Sequence, residues 1–270
     1  MEINLENKVG IVTGGALGIG REIVSNFYRN KMKVVIADIN EKLGNELVDE
    51  IKKLFIGEAY FIETDVSNKK SVEDMVKTTI EKFKKIDVLV NNAGINIPRL
   101  LVDPKGKEEV TEGVFDKIVA INQKGAYLCA QAVAKEMIKA KSGVIINMSS
   151  ESGLEGSEGQ SIYAGTKAAL YSYTRSWAKE LGKFNIRVVG VAPGILEPTA
   201  LRSPEYERAL AYTRGITVEQ LKAGYEKSSI PIGRTGKLNE VAELVCFLAS
   251  DFAGYITGTT INIAGGKTRG

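Results

Sequence analysis

Val9-Gly10-Ile11-Val12-Thr13-Gly14-Gly15-Ala16-Leu17-Gly18-Ile19-Gly20 is the stretch whose reading decides the fold. The apolar run Val9–Val12 reads as a strand, and the amphipathic stretch Arg21–Asn30 beyond the glycines reads as a helix. Glycine allows tight dihedrals and lets a backbone approach a ligand closely. The start of a helix turns free N–H groups and partial positive charge toward an anion. Gly14, Leu17, Gly18, Ile19 and Gly20 are therefore candidate contacts to the pyrophosphate of a dinucleotide, because the glycines stand between a strand and a helix.

Outward from that unit the same alternation continues. Val34–Ala37, Tyr60–Thr64, Val88–Val90, Val144–Met148, Val188–Val191 and Thr260–Ile263 read as further strands, several of them nearly continuous β-branched runs suited to burial on both faces. Helical stretches such as Ser71–Phe83 separate most of them, with apolar residues at Val72, Met75, Val76, Ile80 and Phe83. Strand–helix alternation implies right-handed crossovers. The expectation is an α/β fold: a Rossmann-type, doubly wound, parallel seven-stranded sheet with helices on both faces. The chain has 270 residues, 44% of them hydrophobic, which supplies a large core for one domain over 1–270. No linker, repeat or low-complexity tract interrupts it. Only 195–229 departs from the alternation; it is expected to be a substrate lid, with a plain surface connection as the alternative.

The second strand ends in Asp38, which can accept hydrogen bonds from the adenosine ribose hydroxyls and would repel a 2′-phosphate. Neither Leu17 nor Ile39 supplies a compensating cation, so NAD is expected rather than NADP. The alternative is that Asp38 caps the helix expected over Asn40–Lys52. With no histidine in the chain, a Ser-His-Asp triad and a histidine-ligated metal are excluded, and no metal site is expected. Proton transfer near neutral pH must then use Tyr, Lys, Asp, Glu or Cys with a shifted pKa. The two cysteines, Cys129 and Cys246, sit in apolar surroundings and read as buried free thiols. A net charge of +3 is weak grounds for nucleic-acid binding, and Lys52-Lys53, Lys69-Lys70 and Lys84-Lys85 read as solvated faces. No secretory leader opens the chain and no apolar run is long enough to span a bilayer, so a soluble protein of the cytoplasm is expected.

Further motifs follow the later strands: Asn91-Asn92-Ala93-Gly94, Ser149-Ser150, Tyr163-Ala164-Gly165-Thr166-Lys167 and Pro193-Gly194. In this order, with the glycine loop, they resemble the short-chain dehydrogenases/reductases across essentially the whole chain. The resemblance implies a catalytic tetrad of Asn122, Ser150, Tyr163 and Lys167. On a helix Tyr163 and Lys167 share a face. A free tyrosine, with a pKa of about 10, is a poor base at neutral pH, and a nearby ammonium would lower that value. By the same resemblance Ser150 would hold the substrate oxygen, Asn122 a relay water, and Lys167 also the nicotinamide ribose. Asp65 and Val66 would flank adenine. Asn91, Asn92, Ala93 and Gly94 would line the cleft, and Pro193, Gly194 and Ile195 would meet the nicotinamide. One departure concerns the threonine the family often has five residues after that proline: Pro198 stands there, with Thr199 next.

Gly94–Arg99, Ser149–Gly159, Leu210–Thr217 and Asn262–Gly270 lie outside the general signature and look like the bacterial sorbitol-6-phosphate 2-dehydrogenase subgroup. That resemblance implies NAD-dependent oxidation of sorbitol 6-phosphate at C2 to fructose 6-phosphate, and a homotetramer. A polyol phosphate needs many hydrogen-bond partners and a cation. Ser150, Glu151, Ser152, Glu155 and Glu158 offer the former. Arg99, Arg202 and Arg214 are the phosphate candidates, with Lys267 and Arg269 behind them if the tail reaches a neighbouring active site. A 3-oxoacyl thioester reductase, favouring NADP and a more apolar lid, and a non-catalytic NAD-binding sensor are the alternatives.

Overall fold

A computed structural model describes residues 3, 5–54, 57–199, 202–227 and 230–268. Seven strands form one parallel sheet: β1 (Val9–Thr13), β2 (Lys33–Asp38), β3 (Ala59–Glu63), β4 (Val88–Asn91), β5 (Gly143–Met148), β6 (Ile186–Pro193) and β7 (Thr260–Ile263). Their spatial order is β3-β2-β1-β4-β5-β6-β7. The chain winds outward from β1 to β3, then crosses back to lay β4 on the other side of β1. The carboxyl ends of β1 and β4 therefore part into a crevice, where open α/β sheets bind ligands.

Both faces of the sheet are covered, which is why its central strands need no polar alternation; every residue of β1, β4 and β5 is buried. On one face α1 (Gly18–Arg29), α2 (Glu41–Leu54) and α10 (Leu238–Ala249) pack through residues such as Phe27, Leu47 and Val245. On the other, α3 (Lys69–Phe83), α5 (Gly125–Ala140) and α7 (Ser161–Leu181) pack through Met75, Val133 and Ala178. Cys129 and Cys246 are buried free thiols, each pushed up to about 12 by burial.

Two boundaries differ from the sequence expectation in a way that matters. The first helix starts at Gly18 rather than Arg21, so the second half of the glycine stretch is already its first turn. β3 runs from Ala59, because Val34 pairs with Ala59 and Asp38 with Glu63, leaving Thr64 just past the ladder.

The segment after β6 folds back as α8 (Pro204–Thr213) and α9 (Val218–Lys227). Ser203 caps α8 by accepting the Tyr206 N–H, and Pro204 fits a first helical turn, where no amide donor is needed. Leu210, Ala211 and Leu221 form a small core of their own. Among the described residues no helix is long and apolar enough to cross a membrane.

Candidate active site

The crevice between β1 and β4 opens into a cleft of about 610 Å³ running from Asp38 and Ile39 past Gly14, Leu17 and Gly18 to Tyr163 and Lys167. Gly14 has φ +61, and a Cβ there would lie 2.8 Å from the Ala93 Cα, so the two turns touch only because position 14 has no side chain. Asn92 fastens them further, its Nδ2 donating to the carbonyls of Thr13 and Gly14. The N-terminus of α1 has no side-chain cap and no acidic residue in its first turn, which leaves its amides available to an anion. Cleft size, uncapped helix and glycine cradle together fit a dinucleotide.

Asp38 accepts the Ala16 N–H with one carboxylate oxygen and the Asn40 N–H with the other. It therefore holds the glycine loop as well as facing the cleft. The cap of α2 is Asn40 instead, whose Oδ1 accepts from Leu43 N. Asp65, Val66, Asn92, Ala93, Gly94, Ile19 and Pro193 also line the cleft. Asn91 does not: its amide nitrogen donates to Asn147 Oδ1 across the sheet, behind the cleft wall. Gly20 is likewise behind it, where a Cβ would meet the Gly14 carbonyl oxygen at 2.0 Å. Thr199 lines the cleft despite Pro198 before it, and lies 3.5 Å from where a Gly18 Cβ would be.

Tyr163 and Lys167 stand one turn apart on α7, and the end of β5 fixes that turn. The Lys167 Nζ donates to the Met148 carbonyl at 2.7 Å, and Ser149 Oγ donates to the Lys167 carbonyl at 2.8 Å. Asn122 occupies a π-helical turn, Ala120–Lys124, between α4 (Glu112–Val119) and α5. Its carboxamide both accepts from Ile95 N–H and donates to Ile95 C=O, each at 2.8 Å. It lines neither cavity. A Cβ on Gly94 would sit 3.3 Å from Asn122 Oδ1 and 3.6 Å from Lys167 Nζ, so the three meet around one small residue.

Burial pushes the Tyr163 phenol up; a Ser150 hydrogen bond opposes that and the Glu151 charge adds to it. Burial also lowers Lys167 to about 8. The expected pull of the ammonium on the phenol is thus not what dominates here. Both groups have lost water, which favours their neutral forms, and Lys167 Nζ lies 5.7 Å from the centre of the Tyr163 ring.

A second cavity, about 460 Å³, adjoins the cleft at Tyr163, Pro193 and Thr199. Ser150, Glu151, Ser152 and Glu155 lie along it; Glu158 does not. Ser150 Oγ accepts from the Ser152 hydroxyl at 3.0 Å. Gly194 and Ile195 line this side. Of the arginines, Arg202 and Arg214 line the cavity. Arg202 donates to the Leu196 carbonyl and lies 4.2 Å over the Tyr225 ring; Arg214 donates to Ser157 Oγ. Neither pairs with a carboxylate among the described residues. Arg99 lines neither cavity and is paired with Glu108 at 2.5 Å. Lys267 lines the cavity of its own chain, whereas Arg269 lies outside the described residues.

Sequence reasoning passed over Asn96, Gln160, Tyr206 and Tyr225, all of which line the substrate-side cavity. Asn96 and Gln160 fall within or beside the stretches that carried the subgroup resemblance, a usable signal. The two tyrosines come from the irregular segment, where no periodicity marks a face.

A cofactor cleft at the switch point, with Tyr163 and Lys167 at one end and Ser150 in the cavity adjoining it at Tyr163, defines a dinucleotide-dependent oxidoreductase. The chain belongs to the short chain dehydrogenase family, whose profile matches residues 8–209. It is 57% identical over 271 residues to the sorbitol-6-phosphate 2-dehydrogenase of Klebsiella pneumoniae, covering 99% of this chain and 98% of that one. It is 38% identical over 265 residues to a 3-oxoacyl-(acyl-carrier-protein) reductase of Thermotoga maritima, covering 98% and 99%. Among solved structures, a short-chain type dehydrogenase/reductase from Mycobacterium marinum superposes with a TM-score of 0.87 at 30% identity, over 100% of this chain and 98% of that one.

Proposed function

We propose that this chain is an NAD-dependent dehydrogenase that oxidises sorbitol 6-phosphate at C2 to fructose 6-phosphate, reversibly, and that it works as a homotetramer in the cytoplasm. The observation that carries the substrate is the cavity beside Tyr163 and Ser150, lined by Arg202 and Arg214, neither of which pairs with a carboxylate among the described residues. The similarity to the Klebsiella enzyme points the same way. NAD over NADP rests on Asp38 at the end of β2, which also weighs against an NADP-linked reductase.

The bound nicotinamide supplies a hydride acceptor for the hydrogen leaving C2. The protein does the rest. Ser150 donates to the substrate oxygen and Tyr163, as phenolate, removes its hydroxyl proton; the carbonyl forms as hydride departs. Lys167, tied to the Met148 carbonyl, would hold the nicotinamide ribose, and as an ammonium it would favour the Tyr163 phenolate against the burial that raises the phenol. Arg202 and Arg214 take the phosphate by charge-assisted hydrogen bonds. The described residues of the 195–229 segment act as the lid that carries both arginines.

The test is NADH formation from sorbitol 6-phosphate, free sorbitol and other polyol phosphates, with NAD and with NADP. Strong preference for sorbitol 6-phosphate and for NAD is expected. A native enzyme that treats the phosphorylated and free polyols alike would refute the substrate; equal use of the two cofactors would refute the role of Asp38.

A further inference from the structure

After β7 the described residues 264–268 fold back against the domain. Gly265 and Gly266 both adopt left-handed backbone, φ +62 and +84, and turn it back across the strand ends. The Lys267 N–H closes the turn on the Ala264 carbonyl, and the Gly265 carbonyl accepts the Ile232 N–H. This strap delivers Lys267 and Thr268 to Glu151. Lys267 Nζ donates to one carboxylate oxygen at 2.6 Å and Thr268 Oγ to the other at 2.9 Å.

The location gives the pair its meaning. Glu151 immediately follows Ser150, and both Glu151 and Lys267 line the cavity that also holds Tyr163, Arg202 and Arg214. Their side chains are only 12% and 24% exposed, so water screens them little. A carboxylate left alone there would oppose the entry of an anion. With both oxygens bonded, Glu151 is also not free to take substrate hydroxyls with its full acceptor capacity.

We propose that Lys267 is a specificity-determining residue: by pairing with Glu151 it cancels the carboxylate next to Ser150 and so admits a phosphorylated substrate. The inference rests on the functional reading above for its substrate, and it assigns Lys267 a role distinct from binding the phosphate. Lys267 acts through Glu151, so removing the carboxylate should repair what removing the ammonium breaks. A direct phosphate ligand could not be repaired that way.

The experiment compares native enzyme with Lys267→Met, Lys267→Arg, Glu151→Gln and the Lys267→Met/Glu151→Gln pair. It reads the preference, kcat/KM for sorbitol 6-phosphate over that for sorbitol, with the Kd for NADH as a control on folding. A charge-assisted contact is worth roughly ten- to a hundredfold. Lys267→Met should lose about that much preference with NADH binding unchanged. Lys267→Arg should keep most of it, and the double variant should recover to within about threefold of native on the same scale. Native preference in Lys267→Met, or a double variant no better than Lys267→Met, overturns the strap proposal while native turnover of sorbitol 6-phosphate leaves the functional reading standing. A native enzyme that neither oxidises nor binds sorbitol 6-phosphate overturns both.

Discussion

The cofactor cleft takes its shape from backbone at the ends of β1, β2 and β4, whereas the substrate cavity beside it is walled largely by long side chains from the segment after β6 and the strap after β7. On the cofactor side, contacts between turns are set by sheet register and by positions without a Cβ, such as Gly14 against Ala93. On the substrate side, position is set by side-chain ties: Gln160 to the Tyr206 hydroxyl, Arg214 to Ser157, Lys267 to Glu151. The first construction tolerates little change and suits a ligand common to many enzymes. The second can be rewritten residue by residue, which suits selection of one substrate. Tyr163 lies where they meet.

The largest effect should come from that junction. Tyr163→Phe removes one hydroxyl and little volume, and takes away the group that receives the substrate proton. General acid–base contributions are typically 10²–10⁴-fold, and kcat should fall by at least that range while the Kd for NADH changes little. Half the native turnover in the variant would show that the two regions meet elsewhere.

Next should be the arginines, which sharpen the contrast because they belong to the substrate side alone. Arg202→Ala and Arg214→Ala should each lower kcat/KM for sorbitol 6-phosphate by roughly ten- to a hundredfold and leave that for free sorbitol nearly unchanged. Arg99→Ala should do neither, since Arg99 is spent on Glu108 away from the cavity. Loss of preference in Arg99→Ala would undo that assignment. On the cofactor side, Asp38→Ala with Ile39→Arg should raise NADP use relative to NAD by about tenfold or more, the scale of one charge-assisted phosphate contact. Absolute efficiency with NAD should fall too, because Asp38 also anchors the Ala16 and Asn40 amides. An unchanged cofactor ratio would separate that structural role from selectivity.

The unequal construction also explains what the sequence disclosed. Strands covered on both faces announce themselves as β-branched runs, and the glycine loop announces its own conformation, so the sheet and the positions of Gly14, Gly18, Asp38 and Lys167 were readable. Asn91 lies off the cleft because a motif residue next to a cleft can point into the sheet; strand pairing, not the motif, shows that its amide meets Asn147. Arg99 lies outside both cavities, paired with Glu108, and that partner arrives from a loop whose sequence has no periodicity to announce it. Lys267 was noticed for its charge, but its partner lies 116 positions away along the chain, and no local pattern encodes that.

The smallest expected effect concerns how the lid segment is tied down, and it is one of pH. Asp103, in the loop between β4 and α4, accepts the backbone N–H of Glu108, Lys107 and Lys105 and the hydroxyl of Tyr212 on α8. These donors, the Glu108 amide foremost, favour the carboxylate and lower it from 3.8 to about 2 despite the opposing effect of burial. A carboxyl whose folded pKa lies below its unfolded value contributes stability that is fully present above the unfolded value and is lost as pH falls through the folded one. The tie between that loop and α8 should therefore hold at neutral pH and weaken between about pH 4 and pH 2, an interval set by those two values. Asp103→Asn replaces one acceptor oxygen by a donor that faces other donors, so the variant should have a lower Tm at pH 7 and a smaller further loss of Tm across the acid interval. Thermal unfolding of both proteins over that range decides it. Parallel curves would mean that Asp103 does not titrate with folding. A converging pair would show that the substrate side is held by an acid-labile bond, whereas the Asn92 contacts to Thr13 and Gly14 that fix the cofactor turns carry no titrating group.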